Sequence, residues 1–282
     1  MPRKITDLDH LSERADVLLC DVWGVLHNGV NPFPLSVEAL KAARARGQTV
    51  ILITNSPRPA KGVIRQFDTI GVDPESWDDI VTSGDVTRQL VLDGPRRIYF
   101  LGPERDFALV DGLDVELVEP ETAEAVLCTG LLDDETEEAE DYRSLLEGFR
   151  ARELPFICAN PDRVVERGDR LVPCAGALAD LYAALGGETR IAGKPHAPIY
   201  REAMARAKAL TGKADKTRTL AIGDGVSTDI RGALDNGVEA VFIARGIHAS
   251  QYLDGRVTNE ARLQTFLEGE GVNPAFWMEW LA

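Results

Sequence analysis

The chain alternates short, almost uniformly apolar runs with longer segments in which apolar residues recur at helical spacing. Three of the short runs, at 16–20, 49–53 and 219–222, are too continuously apolar for one-sided strands, which is typical of the centre of a parallel sheet. The segments at 35–46 and 198–210 have the amphipathic period of surface helices. This pattern predicts an α/β fold with a doubly wound, Rossmann-like parallel sheet.

A second α/β series occupies the middle of the chain. Its strand-like runs lie at 97–101, 125–128 and 155–158, and a helix is expected over 135–152. The acidic stretch 133–141 would form the solvated start of that helix, where carboxylates suit the positive end of the helix dipole.

Turn-rich breaks at 93–95 and 186–187 bound this middle series. We therefore predict a core domain made of residues 1–93 and 188–282, interrupted by an inserted α/β domain of residues 94–187.

Polar side chains follow the predicted core strands, at the sheet edge where ligands bind in open α/β folds. In chain order these residues are Asp21, Thr54, Asn55, Lys194, Asp224 and Asp229. Taken singly, each also fits a structural role in a turn, in the first turn of a helix or on the surface. Their joint occurrence favours a site.

The chemistry of this set suits a divalent cation and a phosphoryl group. Mg²⁺ prefers hard oxygen ligands, which Asp21 and Asp224 would supply directly and Asp229 through a bound water. Lys194 would offset the negative charge and hold a phosphoryl oxygen. An aspartate beside Mg²⁺ and lysine can attack phosphorus and form an aspartyl phosphate.

Four segments resemble, in order, the motifs of the haloacid dehalogenase-like phosphatases. They are 21–26 (DVWGVL), 53–55 (ITN), 193–195 (GKP) and 223–229 (GDGVSTD). Their spacing resembles the class IIA branch, in which a large α/β cap is inserted between the second and third motifs. The resemblance spans nearly the whole chain and implies that residues 94–187 form such a cap.

The resemblance also implies a role for each motif residue. Those roles are a nucleophile at Asp21, phosphate ligands at Thr54 and Asn55, a charge stabiliser at Lys194, and a metal site at Asp21, Asp224 and Asp229. The main-chain carbonyl of Trp23 would be a further metal ligand, which any side chain permits. The implied cofactor is Mg²⁺, and the implied activity is hydrolysis of a small phosphorylated metabolite such as a sugar phosphate or nucleotide.

Trp23 is a departure from the family pattern. Phosphatases of this family usually carry a second Asp at this position, which acts as general acid and base and is typically worth about 10²- to 10⁴-fold in rate. The departure leaves three alternatives: a slow phosphatase, a phosphoester-binding or regulatory protein without turnover, and, less favoured, a dehalogenase-like hydrolase. His27 or His196 would be a substitute acid.

Substrate contacts are expected from the insert and from loops near the motifs. Asn160 and Asp162 follow the run at 155–158 and form a candidate specificity loop, although the same residues are common in turns. Arg58 would steer an anionic substrate, and His196 would contact it. For both of these residues the alternative is an exposed loop position.

Composition and charge limit the classes of partner that the protein is expected to bind. The chain has 282 residues and a net charge of −15, which disfavours nucleic acid because a polyanion would be repelled. Its apolar runs are too short to span a bilayer, and its first residues do not resemble a secretory signal. The four cysteines have no paired spacing. These observations predict a cytoplasmic protein with no membrane or nucleic-acid partner.

The segment 274–281 concentrates three aromatic residues. Docking on the chain's own core is the favoured interpretation, and the alternatives are a homodimer surface and a membrane anchor, although the segment lacks the Lys and Arg expected at an anionic bilayer.

Overall fold

The computed structural model describes residues 2–167, 170–212 and 214–282. Backbone contacts divide the chain into two compact units. The core unit comprises Met1–Thr54, Gln66–Val81 and Tyr200–Ala282, and the insert unit comprises Asn55–Arg65 and Thr82–Ile199. The division predicted from the sequence, with an inserted domain of 94–187, stays a prediction.

The described residues form sixteen strands. They are β1 (Arg3–Lys4), β2 (Val17–Cys20), β3 (Thr49–Thr54), β4 (Asp79–Thr82), β5 (Arg97–Leu101), β6 (Glu116–Leu117), β7 (Ala125–Cys128), β8 (Phe156–Cys158), β9 (Val164–Arg167), β10 (Arg170–Pro173), β11 (Thr189–Ile191), β12 (Thr219–Gly223), β13 (Glu239–Ile243), β14 (Leu253–Asp254), β15 (Val257–Thr258) and β16 (Phe276–Met278).

The same part of the chain contains eight α-helices. They are α1 (Pro34–Ala45), α2 (Ala60–Ile70), α3 (Ser83–Leu92), α4 (Arg143–Ala151), α5 (Ala175–Ala184), α6 (Ala197–Thr211), α7 (Arg231–Asp235) and α8 (Glu260–Gly269). Short 3₁₀ helices span Leu8–Leu11, Pro74–Ser76, Glu104–Leu109, Pro120–Thr122, Ala139–Tyr142, Lys216–Arg218 and Ala249–Gln251. A π-helical turn at Val226–Ile230 leads into α7. None of the helices among the described residues combines the length and apolar character that crossing a membrane requires.

The core unit is built on a seven-stranded sheet in the order β1-β16-β13-β12-β2-β3-β4. β2 lies between β12 and β3 and runs parallel to both. All of its residues are buried, as are those of β3 and β12, because helices cover both faces of a doubly wound sheet. The predicted α/β class and the central position of the three apolar runs are confirmed.

The aromatic residues near the C-terminus pack on the core unit itself. β16 adds to the sheet between β13 and β1, and all three of its residues are buried. Trp280, just beyond the strand, keeps 43% of its surface exposed. The interpretation that this segment docks on its own core is confirmed.

The insert unit contains a five-stranded sheet in the order β11-β8-β7-β5-β6, with parallel pairings throughout. Alternate residues of its strands face opposite sides, so each face carries its own apolar cluster. Val126 and Phe156 belong to one cluster, which also contains residues of α4 and α5. Leu127 and Ile157 belong to the other. β9 and β10 form a separate antiparallel pair.

The helix expected over 135–152 is shorter than predicted. α4 begins at Arg143, after a 3₁₀ turn, and the residues before that turn are not helical. The Asp133 carboxylate accepts hydrogen bonds from the Glu135 N–H and the Thr136 hydroxyl, which holds the chain in a turn. A capping box between Glu138 and Asp141 then starts the helical segment.

The strand before Lys194 also differs from the prediction. β11 pairs with β8 at the edge of the insert's sheet, whereas the sequence pattern placed Lys194 after a strand of the core sheet. β11 is only half-buried along its length, as expected for an edge strand. Lys194 therefore follows the insert's sheet, next to the loop after β8.

Candidate active site

Three buried carboxylates of the core unit lie together. One ligand oxygen from each of Asp21, Asp224 and Asp229 lies within 4.8 Å of the other two. The three residues are only 5%, 5% and 4% exposed. Burial disfavours the charged form of a carboxylate, and like charges at this spacing repel one another. A cation bound among them would offset this repulsion.

The register of the central strands explains why these carboxylates meet. Cys20, the last residue of β2, is paired with Ile222 of β12. Asp21 directly follows Cys20, and Asp224 directly follows Gly223, the last residue of β12. Asp229 lies in the π-helical turn, a local distortion that is often found at functional sites.

Main-chain donors orient two of the carboxylates. The Ile247 N–H donates to Oδ2 of Asp224 over 2.8 Å. The Gly225 N–H donates to Oδ2 of Asp229 over 3.0 Å. The Tyr200 hydroxyl donates to the main-chain oxygen of Asp229 over 3.2 Å, which anchors the turn from the side of α6. These contacts fix where the carboxylates point.

Glycines make room for the carboxylates. A Cβ placed on Gly24 or Gly246 would lie 2.2 or 2.0 Å from Oδ2 of Asp224, and one on Gly223 would lie 2.3 Å from Cβ of Asp229. No side chain fits at these distances. Gly24 and Gly223 lie within the motifs, but Gly246 and the Ile247 donor come from the loop after β13. Neither residue is predictable from the sequence, because nothing in the local pattern marks that loop.

The donor set matches a hard divalent cation. Carboxylate oxygens are the ligands that Mg²⁺ takes in proteins, usually one or two together with waters and substrate phosphate. The cluster therefore fits the magnesium site expected from the sequence.

Trp23 lies in the loop after β2 and packs beside Gly29. A Cβ on Gly29 would lie 2.5 Å from Cη2 of the Trp23 indole, and Gly29 has a φ of +83°. The Gly24 N–H donates to the main-chain oxygen of His27 over 2.9 Å, which closes the loop on itself. The Trp23 indole is therefore held against Gly29 within this loop.

His27 is fully buried behind this loop. Its Nδ1 accepts the Gly29 N–H over 2.9 Å, so the ring proton of the neutral form is on Nε2. Within the described part of the chain, Nε2 has no hydrogen-bond partner. Desolvation lowers the pKa of His27 to about 4. A ring that is neutral near pH 7 is a poor replacement for the missing general acid.

Thr54 and Asn55, the predicted phosphate ligands, are both buried. Thr54 ends β3 in the core unit, and Asn55 begins the insert unit. The side-chain amide of Asn55 makes three hydrogen bonds. Its Oδ1 accepts the Lys194 N–H over 2.8 Å, and its Nδ2 donates to Lys194 O over 3.1 Å and to Asp162 Oδ1 over 2.8 Å.

Asn160 and Asp162 form a turn after β8. Oδ1 of Asn160 accepts the Asp162 N–H over 3.2 Å, and Asn160 is buried while Asp162 is half-buried. The carboxylate of Asp162 contacts Asn55 as described. The hydrogen bond from Asp162 N–H to Asn160 Oδ1 is of the kind found in turns, and the role of this loop in specificity stays a prediction.

The exposed loop position that the alternative interpretation expects holds for His196 but not for Arg58, whose side chain is half-buried. Arg58 donates through Nε to Oδ1 of the buried Asp106 over 3.2 Å. Desolvation raises the pKa of the Asp106 carboxyl, against the opposing effect of Arg58. His196 is exposed, its N–H donates to Gly193 O over 2.9 Å, and partial desolvation lowers its pKa. Substrate contact by either residue stays a prediction.

The structure thus brings the predicted site residues together in two groups. The core unit joins Asp21, Asp224 and Asp229, with Trp23 in the loop that follows Asp21. The insert unit joins Asn55, Asp162 and Lys194.

Comparisons with known proteins agree with this arrangement. Residues 18–116 match a family model described as haloacid dehalogenase-like hydrolase, and residues 191–266 match one described as HAD-hydrolase-like. A crystal structure of a hydrolase of the haloacid dehalogenase-like family from Brucella suis is 50% identical, with a TM-score of 0.90, and the match covers 99% of this chain and 100% of that one.

Two curated relatives are more distant. D-glycerol 3-phosphate phosphatase of Mycobacterium tuberculosis is 26% identical over 263 residues, which cover 85% of this chain but only 66% of that protein. Ribonucleotide monophosphatase NagD of Escherichia coli is 25% identical over 247 residues, which cover 84% of this chain and 90% of that protein. The chain belongs to the haloacid dehalogenase-like hydrolase family, in its class IIA or NagD-like branch.

Proposed function

We propose that the protein is a Mg²⁺-dependent phosphoric monoester hydrolase that acts on a small phosphorylated metabolite. The observation that carries the proposal is the buried group of three carboxylates, two of which follow the ends of the adjacent parallel strands β2 and β12 while the third lies in the π-helical turn. The relatives named as phosphatases of glycerol 3-phosphate and of ribonucleotides support the same reaction class.

In this proposal Asp21 attacks phosphorus, and the bond to the leaving oxygen breaks. Water then hydrolyses the aspartyl phosphate and regenerates the carboxylate. Asp21, Asp224, Asp229 and the main-chain carbonyl of Trp23 would hold Mg²⁺, and the ion would supply positive charge to offset that of the phosphoryl oxygens. The Ile247 and Gly225 N–H groups keep the carboxylates oriented for this role.

Thr54, Asn55 and Lys194 bind the phosphoryl group. Thr54 donates its hydroxyl. Asn55 donates its main-chain N–H, because its side-chain amide already bonds Lys194 and Asp162. Lys194 supplies a positive charge to the transferring phosphoryl oxygens. Asn160, Arg58 and His196 are the proposed substrate-facing residues of the insert unit.

Trp23 makes the proposed reaction depend on the leaving group. An indole transfers no proton, and the neutral His27 ring packs between the Trp23 indole and the buried Phe67 ring. An alkoxide leaving group needs a proton, whereas a phenolate of low pKa leaves without one. We therefore expect slow turnover of alkyl phosphates and faster turnover of activated aryl phosphates.

The direct test is phosphate release from a panel of sugar, glycerol, nucleotide and aryl phosphates, with and without Mg²⁺. We expect release that requires Mg²⁺ and disappears in Asp21→Asn, a variant of nearly the same size without the nucleophilic carboxylate. Unchanged turnover in Asp21→Asn would overturn the nucleophile assignment.

The second candidate is a phosphoester-binding protein with no turnover, which the absent acid at Trp23 favours. Saturable binding of panel members without any phosphate release would support it. A dehalogenase-like hydrolase is the third candidate. It has no use for a group of three carboxylates, because the dehalogenases of the superfamily that this alternative resembles act without metal.

We also propose a cytoplasmic location and leave the homodimer as a prediction. The four cysteines are free and buried, which suits a reducing compartment. Desolvation raises the pKa of Cys158 to about 12, so its thiol is inert at neutral pH. The small phosphorylated substrate is the one partner that the proposal requires.

A further inference from the structure

We infer that Asn55 and Asp162 are positioning residues, which hold the main chain of Lys194 in place through one hydrogen-bonded chain. The inference rests on the proposed role of Lys194 in binding the phosphoryl group. It gives the Asn55 side chain and Asp162 a task that is different from contact with substrate.

The Asn55 amide recognises both main-chain groups of a single residue. Its Oδ1 accepts the Lys194 N–H over 2.8 Å, and its Nδ2 donates to the Lys194 carbonyl over 3.1 Å. These two contacts also settle which end of the amide is oxygen, because one partner is a donor and the other an acceptor. Both residues are 2% exposed, so water does not compete for the contacts.

Asp162 completes the hydrogen bonding of that amide. The second hydrogen on Nδ2 of Asn55 goes to Oδ1 of Asp162 over 2.8 Å. A charged acceptor makes this the strongest class of hydrogen bond open to an amide. Without it, a buried N–H would lack a partner, and the amide would be free to rotate away from Lys194.

Asp162 is itself held from two sides. Its N–H donates to Oδ1 of Asn160 over 3.2 Å, and its main-chain oxygen accepts the Gly176 N–H at the start of α5 over 3.1 Å. A Cβ on Gly176 would lie 2.5 Å from that same oxygen. Helix α5 therefore fixes the turn that carries the carboxylate.

The main chain at Gly193, directly before Lys194, packs closely against Asn55, Ser83 and Pro161. A Cβ there would lie 2.7 Å from Oδ1 of Asn55, 2.5 Å from Oγ of Ser83 and 2.8 Å from Cγ of Pro161. The lysine main chain is thus seated against the amide and against the Asp162 turn together. The chain of contacts runs from α5 through Asp162 and Asn55 to Lys194, all within the insert unit.

A positioning role and a substrate-contact role predict different kinetics. Displacing Lys194 weakens charge stabilisation in the transition state for every substrate, so it lowers kcat. Loss of a direct contact changes KM for those substrates that make the contact. The two roles are therefore distinguishable by how the effect divides between kcat and KM.

The experiment measures kcat and KM at saturating Mg²⁺ for p-nitrophenyl phosphate and glycerol phosphate. The variants are Asp162→Ala, Asp162→Asn, Asn55→Ala and the double alanine variant. Asp180→Ala is the matched control, because it removes an exposed carboxylate of the same unit, whose ion-pair partner among the described residues is Arg163 and not Asn55 or Lys194.

We expect Asp162→Ala to lower kcat by about 10- to 100-fold, by the same factor for both substrates, with KM little changed. Asp162→Asn keeps an acceptor oxygen and should restore most of kcat. The double variant should be no slower than Asn55→Ala alone, because Asp162 acts through Asn55. Asp180→Ala should match the wild type.

Substrate-dependent changes in KM, or effects that multiply in the double variant, would overturn the inference. If the wild type releases no phosphate, the proposed function fails, and the same variants are compared by their urea midpoints. Midpoint shifts that are not additive would then support the hydrogen-bonded chain, and additive shifts would contradict it.

Discussion

The imidazole of His27 lies edge-on to the indole of Trp23, with ring centroids 5.0 Å apart and ring planes at 74°. On its other side His27 meets Phe67 in a similar arrangement, with centroids 5.7 Å apart. Such aromatic pairs stabilise beyond their buried area. The residue that replaces the usual acid is therefore a packed part of the core unit.

Gly29 should be sensitive to substitution because of the Trp23 indole. Gly29→Ala adds a Cβ 2.5 Å from Cη2 of Trp23 at a φ of +83°. We expect a loss of about 2–4 kcal/mol in unfolding free energy and a changed tryptophan fluorescence spectrum, measured by urea denaturation. Gly47→Ala is the control, since Gly47 has a φ of +90° and nothing within 4 Å. Equal losses in both variants would show that the indole does not crowd this position.

Trp23→Asp should restore the missing acid. We expect kcat for glycerol phosphate to rise about 10-fold or more, while kcat for p-nitrophenyl phosphate changes little, because only the alkoxide needs a proton. Trp23→Asn is the control of matched size without a transferable proton. A rise in both variants, or an equal rise for both substrates, would point to relief of packing and not to acid catalysis.

The carboxylate group predicts stabilisation by metal. Mg²⁺ bound at the proposed site would relieve repulsion among Asp21, Asp224 and Asp229, so the melting temperature should rise with Mg²⁺ concentration. Asp224→Asn should raise the melting temperature without metal and lose most of the Mg²⁺-dependent rise. Differential scanning fluorimetry with Mg²⁺ or EDTA measures both effects. An equal Mg²⁺ response in wild type and variant would place the ion elsewhere.

Asp134 should make stability depend on acid pH. Its carboxylate accepts two hydrogen bonds from Arg167 and one from Arg105, and these contacts, led by Arg167, lower its pKa. Because the folded pKa lies below the unfolded value, the stabilisation is full at neutral pH and is lost as pH falls through the folded pKa.

Asp134→Asn tests this assignment. We expect about 1–3 kcal/mol of destabilisation at pH 7, shrinking below about pH 4, in urea unfolding followed across pH. Glu121→Gln, an exposed carboxylate of the same unit, should show neither effect. A difference between wild type and Asp134→Asn that stays constant with pH would contradict the assignment.

The amino-acid sequence by itself determined the fold class and the carboxylate group. Short apolar runs such as 17–20 and 219–222 are typical of strands in the centre of a parallel sheet. There both faces of the strand are buried, and neighbouring strands pair with its backbone N–H and C=O groups. Asp21 follows the first of these runs directly, and Asp224 follows the second after Gly223. Their meeting at one edge follows from the parallel direction of the strands.

Tertiary structure alone decided the contacts of Asn55, the protonation of His27 and the start of α4. Asn55 meets partners 107 and 139 positions away, and such distant pairings leave no local pattern. The pKa of His27 depends on burial, which is a property of the packed core. Helix α4 starts only at Arg143 because the Asp133 side chain bonds the backbone and hydroxyl groups that follow it. These bonds hold the acidic stretch in a turn, although its residue spacing favours a helix. Short-range patterns determine which elements form, and packing determines which side chains meet.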